Sequence, residues 1–299
     1  MDKVEKEVGN RESSFIYFFH SAAALLRIEK QYGTLLVLLP ALWALFIASR
    51  GRPDPVLLLI IVSGAFLMRS AGCAINDIAD RNFDPHVERT KERPLASGKL
   101  TLSQAVVIFC FTLLLAALLT FYLNPLAVIL CTFCLFFVIL YPFTKRFISL
   151  PQLFLGIAFG WGSVIVWAAV KETVELTAVL IFLSTATWAV AYDTVYAMMD
   201  IEDDLKVGVK SAAILFGKYV KEVVALFFAV TILLFLFVGL ASGLAFPYYT
   251  SVIIAALFFV WQIRVTGKGM SREIAFSAFK SNVTAGFVIL TGIILNYVV

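Results

Sequence analysis

The stretch Gly72-Cys73-Ala74-Ile75-Asn76-Asp77-Ile78-Ala79-Asp80-Arg81-Asn82-Phe83-Asp84 leaves an apolar window at 56–75 and ends among carboxylates. A second stretch, from Asp193 through Asp200-Ile201-Glu202-Asp203-Asp204, leaves the window 176–199 in the same manner. Both contain an Asp-x-x-x-Asp spacing, Asp80/Asp84 and Asp200/Asp204, set 120 positions apart. At a bilayer helix centre each ionisable group costs roughly 2.5–3.5 kcal/mol, so carboxylates near membrane depth mark function by default. The cation that suits such oxygens is Mg²⁺, and the anion that cation would hold is a diphosphate.

The rest of the chain supplies the membrane. Of 299 residues, 61% are hydrophobic and 15% are charged, whereas about a quarter are charged in soluble domains. A hydrocarbon core of about 30 Å takes about 20 apolar residues per helix. Windows of that length fall near 33–49, 56–75, 101–122, 125–142, 151–170, 176–199, 211–241, 246–265 and 279–298. The expected fold is therefore an all-α polytopic membrane protein of nine transmembrane helices. It forms a single domain over 1–299, with two long loops near 78–100 and 201–218. The window at 211–241 includes a non-spanning lead-in, and residues 14–26 suit an amphipathic helix before the first span. The first 30 residues lack the pattern of a cleaved signal peptide.

Basic residues orient the spans. With the N-terminus in the cytoplasm, that side receives 20 of the 24 Lys and Arg. They run from Lys3, Lys6, Arg11, Arg27 and Lys30 through both long loops to Lys145, Arg146, Arg264, Lys268, Arg272 and Lys280. The far side receives Arg50, Arg52 and Lys171, so the positive-inside bias is strong. Both acidic stretches then face the cytoplasm, with the C-terminus opposite, as in a bacterial inner membrane. The net charge of +4 thus reports topology and gives no case for nucleic acid.

On an ideal helix Asp77, Asp80 and Asp84 lie within about 60° of one another, and Asp193, Asp200 and Asp204 within about 40°. Each set could aim its oxygens at one point, where like charges repel unless a cation neutralises them. Mg²⁺ takes one or two carboxylates, waters and phosphate oxygens. Arg89, Arg93, Lys206 and Lys210 follow the carboxylates, as groups binding a phosphorylated leaving group should. Around the two stretches a weak duplication is visible, which transporters also carry.

Other residues have blander readings beside the functional ones. Arg69 shares a face with Cys73, Asn76 and Asp80, either as counter-charge to an Asp or as a phosphate contact. His20 and His86 are too few for a metal site. Cys131-x-x-Cys134, with Cys73 and Cys110, suits small buried hydrophobes better than a redox pair. Tyr141, Phe143, Trp161, Trp188, Tyr192 and Tyr196 could shield a carbocation, although each also suits ordinary packing.

At these residues the sequence resembles the UbiA superfamily of intramembrane prenyltransferases. The resemblance rests on Gly72 through Asp84, Glu88-Arg89-Thr90, Arg93-Pro94-Leu95-Ala96-Ser97-Gly98, and Ala191-Tyr192-Asp193 through Lys210-Ser211. The last of these is similar to the branch that prenylates 4-hydroxybenzoate in bacterial ubiquinone biosynthesis. The resemblance implies nine helices around a central cavity. Asn76, Asp77, Asp80 and Asp84 match the first Mg²⁺–diphosphate motif, and Asp200 and Asp204 the second, with Asp193 and Tyr196 in the branch's pattern upstream. Gln31-Tyr32-Gly33 stands where many members have Pro-Ile-Gly, and Leu39-Pro40 replaces a common Trp-Pro.

The implied reaction is Mg²⁺-dependent transfer of a polyprenyl group from polyprenyl diphosphate to the ring carbon beside the phenol oxygen of 4-hydroxybenzoate. Arg89, Arg93, Lys206 or Lys210 could also hold the acceptor carboxylate. Other acceptors, a naphthoate, haem or another tetrapyrrole, fit the same superfamily. From another class, a cation-coupled transporter also uses intramembrane carboxylates and repeats.

Overall fold

The computed structural model describes residues 16–144, 146–267 and 269–298. Lys3, Lys6, Arg11, Lys145 and Lys268, whose charges orient the spans, lie outside them, as does half of the first 30 residues read for a signal peptide. A short helix α1 (Ile16–Leu25) precedes α2 (Tyr32–Ala48), α3 (Pro55–Asp80), α4 (Leu102–Leu119), α5 (Pro125–Thr144), α6 (Pro151–Lys171) and α7 (Leu176–Ala197). Two short helices follow, α8 (Ile201–Val207) and α9 (Ala212–Phe216), then α10 (Val220–Ser242), α11 (Phe246–Val265) and α12 (Arg272–Val298).

Local chemistry sets the boundaries. Asp54 caps α3 by accepting from the Leu57 N–H at 2.8 Å, and Pro55 takes the first position, where a missing N–H costs nothing. Thr101 and Gln104 form a reciprocal capping box at the start of α4, and Gly243 closes α10 at φ 63°, a conformation glycine adopts freely.

Each of the nine expected windows meets a helix among the described residues. Eight are long and apolar enough to cross a membrane. The other, α2, has 17 residues and is about 25 Å long, a little under the hydrocarbon thickness. It sits inside the bundle against α3, α6, α7 and α12, so neighbours cover most of it. The lead-in at 211–219 is α9 followed by a 3₁₀ turn, and α12 starts at Arg272 rather than near 279.

Without a hydrophobic drive between helices in lipid, close backbone approach and polar contacts hold the bundle together. Gly156 and Gly160, four apart on α6, let α7 come in. A Cβ at Gly156 would lie 2.6 Å from the Ala186 carbonyl oxygen, and one at Gly160 lies 2.7 Å from that of Phe182. Across α7, α11 and α12 a buried network links Trp188 Nε1 to Asn282 Oδ1 at 2.8 Å and Asn282 Nδ2 to Gln262 Oε1 at 3.0 Å. By contrast α4 and α5 expose Val107, Phe111, Phe133 and Phe136, as lipid-facing helices do.

The acidic stretches do not continue their helices as the ideal-helix construction supposed. Helix α3 reaches Asp80, then turns, and Asp84 begins a 3₁₀ turn ahead of Pro85, where a following proline disfavours α-helical geometry. Helix α7 ends at Ala197, and Asp200 stands at the N-cap of α8. Asp193 is therefore on a different helix from Asp204, and any convergence must come from folding across the loops.

Candidate active site

Two hollows that share lining residues receive all the sequence-nominated site residues except Lys206 and Lys210. A large cavity of about 1590 Å³ runs between α2, α3, α4, α5, α6 and α7, with Arg69, Asn76, Asp77, Asp193 and Tyr196 among its lining residues. A small pocket of about 70 Å³ is lined by Asp80, Asp84, Asp200 and Asp204, the two Asp-x-x-x-Asp pairs together. Arg89 and Arg93 line both. The small pocket has room for an ion and a few waters, and the large one exceeds the usual small-ligand range of about 300–1,000 Å³.

Arginines from the first loop join the carboxylates. Arg89 donates Nε and Nη2 to Asp200 Oδ2 at 2.9 and 2.5 Å, and Nη1 to the Tyr196 hydroxyl at 2.7 Å. Arg93 reaches Asp84 at 2.9 Å and Asp77 at 3.1 Å. Asn76 donates to Asp80 at 3.1 Å. Thr90 is buried and donates to the Asp84 carbonyl at 3.0 Å, which folds the loop back under the pocket. Burial pushes the Asp84 carboxyl above its ordinary value; Arg93 opposes this, and repulsion from Asp77 and Asp80 adds to it. A cation in the pocket would relieve that repulsion.

Arg69 lines the large cavity, donates to Cys73 Sγ and packs over Gly33 of α2. Lys206 is exposed and pairs with Asp203 at 3.5 Å, while Lys210 donates to the Phe147 carbonyl at 3.1 Å. The fold does not bring either lysine to the lining of the two hollows. Of the six nominated aromatics, Tyr141, Tyr192 and Tyr196 line the large cavity, whereas Trp188 is packed in the core. His86 is exposed, and only Cys73 of the cysteines is buried. Cys110 is exposed, and Cys131 and Cys134 are partly covered, because α4 and α5 have lipid on one side and the cavity on the other.

Sequence reasoning missed three basic residues. Arg27 donates Nη2 to both Asp77 oxygens, at 2.8 and 2.9 Å. Arg146 donates to the Ala79 carbonyl and lies 5.1 Å from the Phe83 ring centre, fastening the end of α3. Arg272 donates to the Met199 carbonyl at 3.1 Å and pairs with Asp203 at 3.3 Å. No spacing flags them, since each comes from a separate segment.

The profile of the UbiA prenyltransferase family matches residues 37–283. The chain belongs to that family. A 4-hydroxybenzoate octaprenyltransferase from Aeromonas hydrophila is 46% identical over 273 residues, covering 91% of this chain and 95% of its own. Its counterpart from Citrobacter koseri is 44% identical over 274 residues, covering 92% and 94%. Among solved structures, a UbiA homologue from Aeropyrum pernix K1 superimposes with a TM-score of 0.77 at 26% identity, over 88% of this chain and 97% of that one. A UbiA homologue from Archaeoglobus fulgidus, solved with GPP and Mg²⁺, shares the fold at a TM-score of 0.67 and 18% identity, over 90% and 99%.

The UbiA fold of this chain also bears on metal binding. Among the described residues, no three or more His, Cys, Asp and Glu are grouped to hold a metal ion by themselves. Mg²⁺ does not require that, because it takes one or two carboxylates and completes its shell with water and phosphate oxygens. The all-oxygen donors of the small pocket fit it.

Proposed function

We propose that this UbiA-family enzyme transfers the polyprenyl group of a polyprenyl diphosphate to 4-hydroxybenzoate, at the ring carbon beside the phenol oxygen, in ubiquinone biosynthesis. The observation that carries the reading is the shared wall: Arg89 and Arg93 separate a carboxylate-lined pocket from a large, mostly apolar cavity. A diphosphate head and its isoprenoid tail need these two environments side by side. The similarity to octaprenyltransferases over nine-tenths of the chain supports the same acceptor.

Asp80, Asp84, Asp200 and Asp204 would hold Mg²⁺, which supplies charge neutralisation for the departing diphosphate. Arg89 and Arg93 bind the same phosphates from the cavity side and stabilise the charge that builds as the carbon–oxygen bond breaks. The bond's electron pair leaves with diphosphate, and the allylic carbon becomes cation-like. The apolar walls keep water from capturing it. Tyr141, Tyr192 and Tyr196 line that region, and the acceptor's ring carbon forms the new bond. Asp193, which lines the cavity from α7, takes the proton that the ring then releases. Arg69, deeper on α3, remains as a contact for phosphate or for the acceptor carboxylate. The charge distribution supports cytoplasmic placement of the 78–100 and 201–218 loops in the inner membrane.

The test is product analysis by mass spectrometry. Purified protein receives Mg²⁺, a polyprenyl diphosphate and a panel of 4-hydroxybenzoate, a naphthoate and haem. The expected result is diphosphate release with a carbon-prenylated 4-hydroxybenzoate. Prenylation of another acceptor alone would replace the acceptor assignment, and absence of any diphosphate release would favour a transporter.

A further inference from the structure

We propose that Arg27 is a positioning residue for the diphosphate site, acting through Asp77 on Arg93. The proposal rests on the prenyltransferase reading above and adds a part to it. Arg27 follows α1 with φ of 56°, in the left-handed region that is unfavourable for any residue with a Cβ. The Ile28 N–H bonds the Ala23 carbonyl at 3.0 Å and the Arg27 N–H that of Ala24 at 3.2 Å. This is the bond pair of a Schellman helix end, whose left-handed position ordinarily takes glycine. The arginine side chain does there what glycine cannot. Its Nη1 donates to the Ala24 carbonyl at 2.7 Å, and its Nη2 to both Asp77 oxygens at 2.8 and 2.9 Å. Two positions earlier Leu25 is fully buried against Ala74, Leu100 and Ala105, so apolar packing fastens the same turn over α3 and the start of α4.

Asp77 is 1% exposed and also meets Arg93 at 3.1 Å, while Arg93 reaches Asp84 at 2.9 Å. The four groups alternate in sign: Arg27, Asp77, Arg93, Asp84. Arg27 satisfies both Asp77 oxygens from Nη2 while Nη1 is anchored on the Ala24 carbonyl, so Arg93 remains divided between Asp77 and the small pocket. Without Arg27, the buried Asp77 charge falls to Arg93, and low-dielectric attraction draws that guanidinium away from the phosphates. Asp77 is on this account a counter-ion that sets Arg93, and the metal-facing carboxylates are the four of the small pocket.

The test uses full-length protein in lipid nanodiscs, as wild type, Arg27→Ala, Arg27→Lys, Asp77→Asn and the Arg27→Ala/Asp77→Asn pair. Calorimetry reads the affinity for geranyl thiodiphosphate with Mg²⁺, and kinetics read donor KM and kcat separately. Arg27→Ala should weaken analogue binding and raise donor KM by about tenfold with kcat little changed, and Arg27→Lys should recover part of it. With Asp77→Asn already present, Arg27→Ala should add almost nothing, because the charge it answers is gone. Wild-type affinity in Arg27→Ala overturns the proposal and leaves the prenyltransferase reading intact. Full additivity of the two substitutions, or a lowered melting temperature with unchanged analogue affinity, also overturns it and reduces α1 to a structural strap. A wild type that binds no analogue overturns the prenyltransferase reading itself, and the role of Arg27 with it.

Discussion

Arg89 and Asp200 lie 111 positions apart in sequence and meet through two nitrogens at 2.9 and 2.5 Å. The pair stitches the loop after α3 to the start of α8, so the two acidic stretches form one site. Arg89 also lies 4.9 Å from the Tyr196 ring centre, which fixes the plane of its fork. Lys at this position keeps the charge but loses the paired donors. Arg89→Lys is therefore expected to lower kcat/KM by about 10- to 100-fold, in line with charge-assisted bonds of roughly 1.5–3 kcal/mol. Steady-state kinetics with saturating acceptor check this; an unchanged kcat/KM would remove Arg89 from the site.

The four carboxylates of the small pocket give a second expectation. Asp80→Asn, Asp84→Asn, Asp200→Asn and Asp204→Asn each remove a cation-binding charge at nearly constant volume. Each should lose most turnover, more than about a hundredfold (over 2.7 kcal/mol), while still inserting in the membrane. Turnover assays paired with membrane fractionation separate the two effects. Wild-type activity that persists in excess chelator would falsify the metal requirement.

Topology can be read by labelling. In a cysteine-free background, single cysteines at Lys99 and Lys218 should react with an impermeant maleimide only from the cytoplasmic side. Lys99 ends the first long loop and Lys218 sits in the turn between α9 and α10. Reaction of either from the opposite face contradicts the nine-span arrangement.

Gly33 and Arg69 supply a further test. A Cβ at Gly33 would stand 2.4 Å from Arg69 Nε and 2.8 Å from its Cζ, so Gly33→Ala must push the guanidinium aside. If Arg69 contacts substrate, Gly33→Ala and Arg69→Lys should raise the same KM, donor or acceptor, by a similar factor. If Arg69 serves structure alone, both should lower the melting temperature in detergent and leave each KM near the wild-type value.

The nine windows and the helical class were legible in the chain because each depends on local composition. A run of about 20 apolar residues must bury its backbone bonds within itself, whatever its neighbours do. The motif residues were legible for a related reason: carboxylates are costly beside such runs, and Asp80/Asp84 and Asp200/Asp204 repeat one spacing. The ideal-helix placement of Asp84 with α3, and of Asp200 and Asp204 with α7, was wrong. A proline after Asp84 and a new helix start at Asp200 are local features that the periodicity argument passed over.

Tertiary structure alone decided which basic groups meet which acids. Lys206 and Lys210 stand as near to the second motif in sequence as Arg89 and Arg93 do to the first, within nine positions, yet they turn outward to Asp203 and the Phe147 carbonyl. Arg27, 50 positions before Asp77, turns inward to hold it. Coulomb attraction depends on distance and surrounding dielectric, not on separation along the chain. The apolar pattern determined that this protein would be a membrane bundle with acids at one face, and the packing of α1, α3, α7 and their loops determined the partners of those acids.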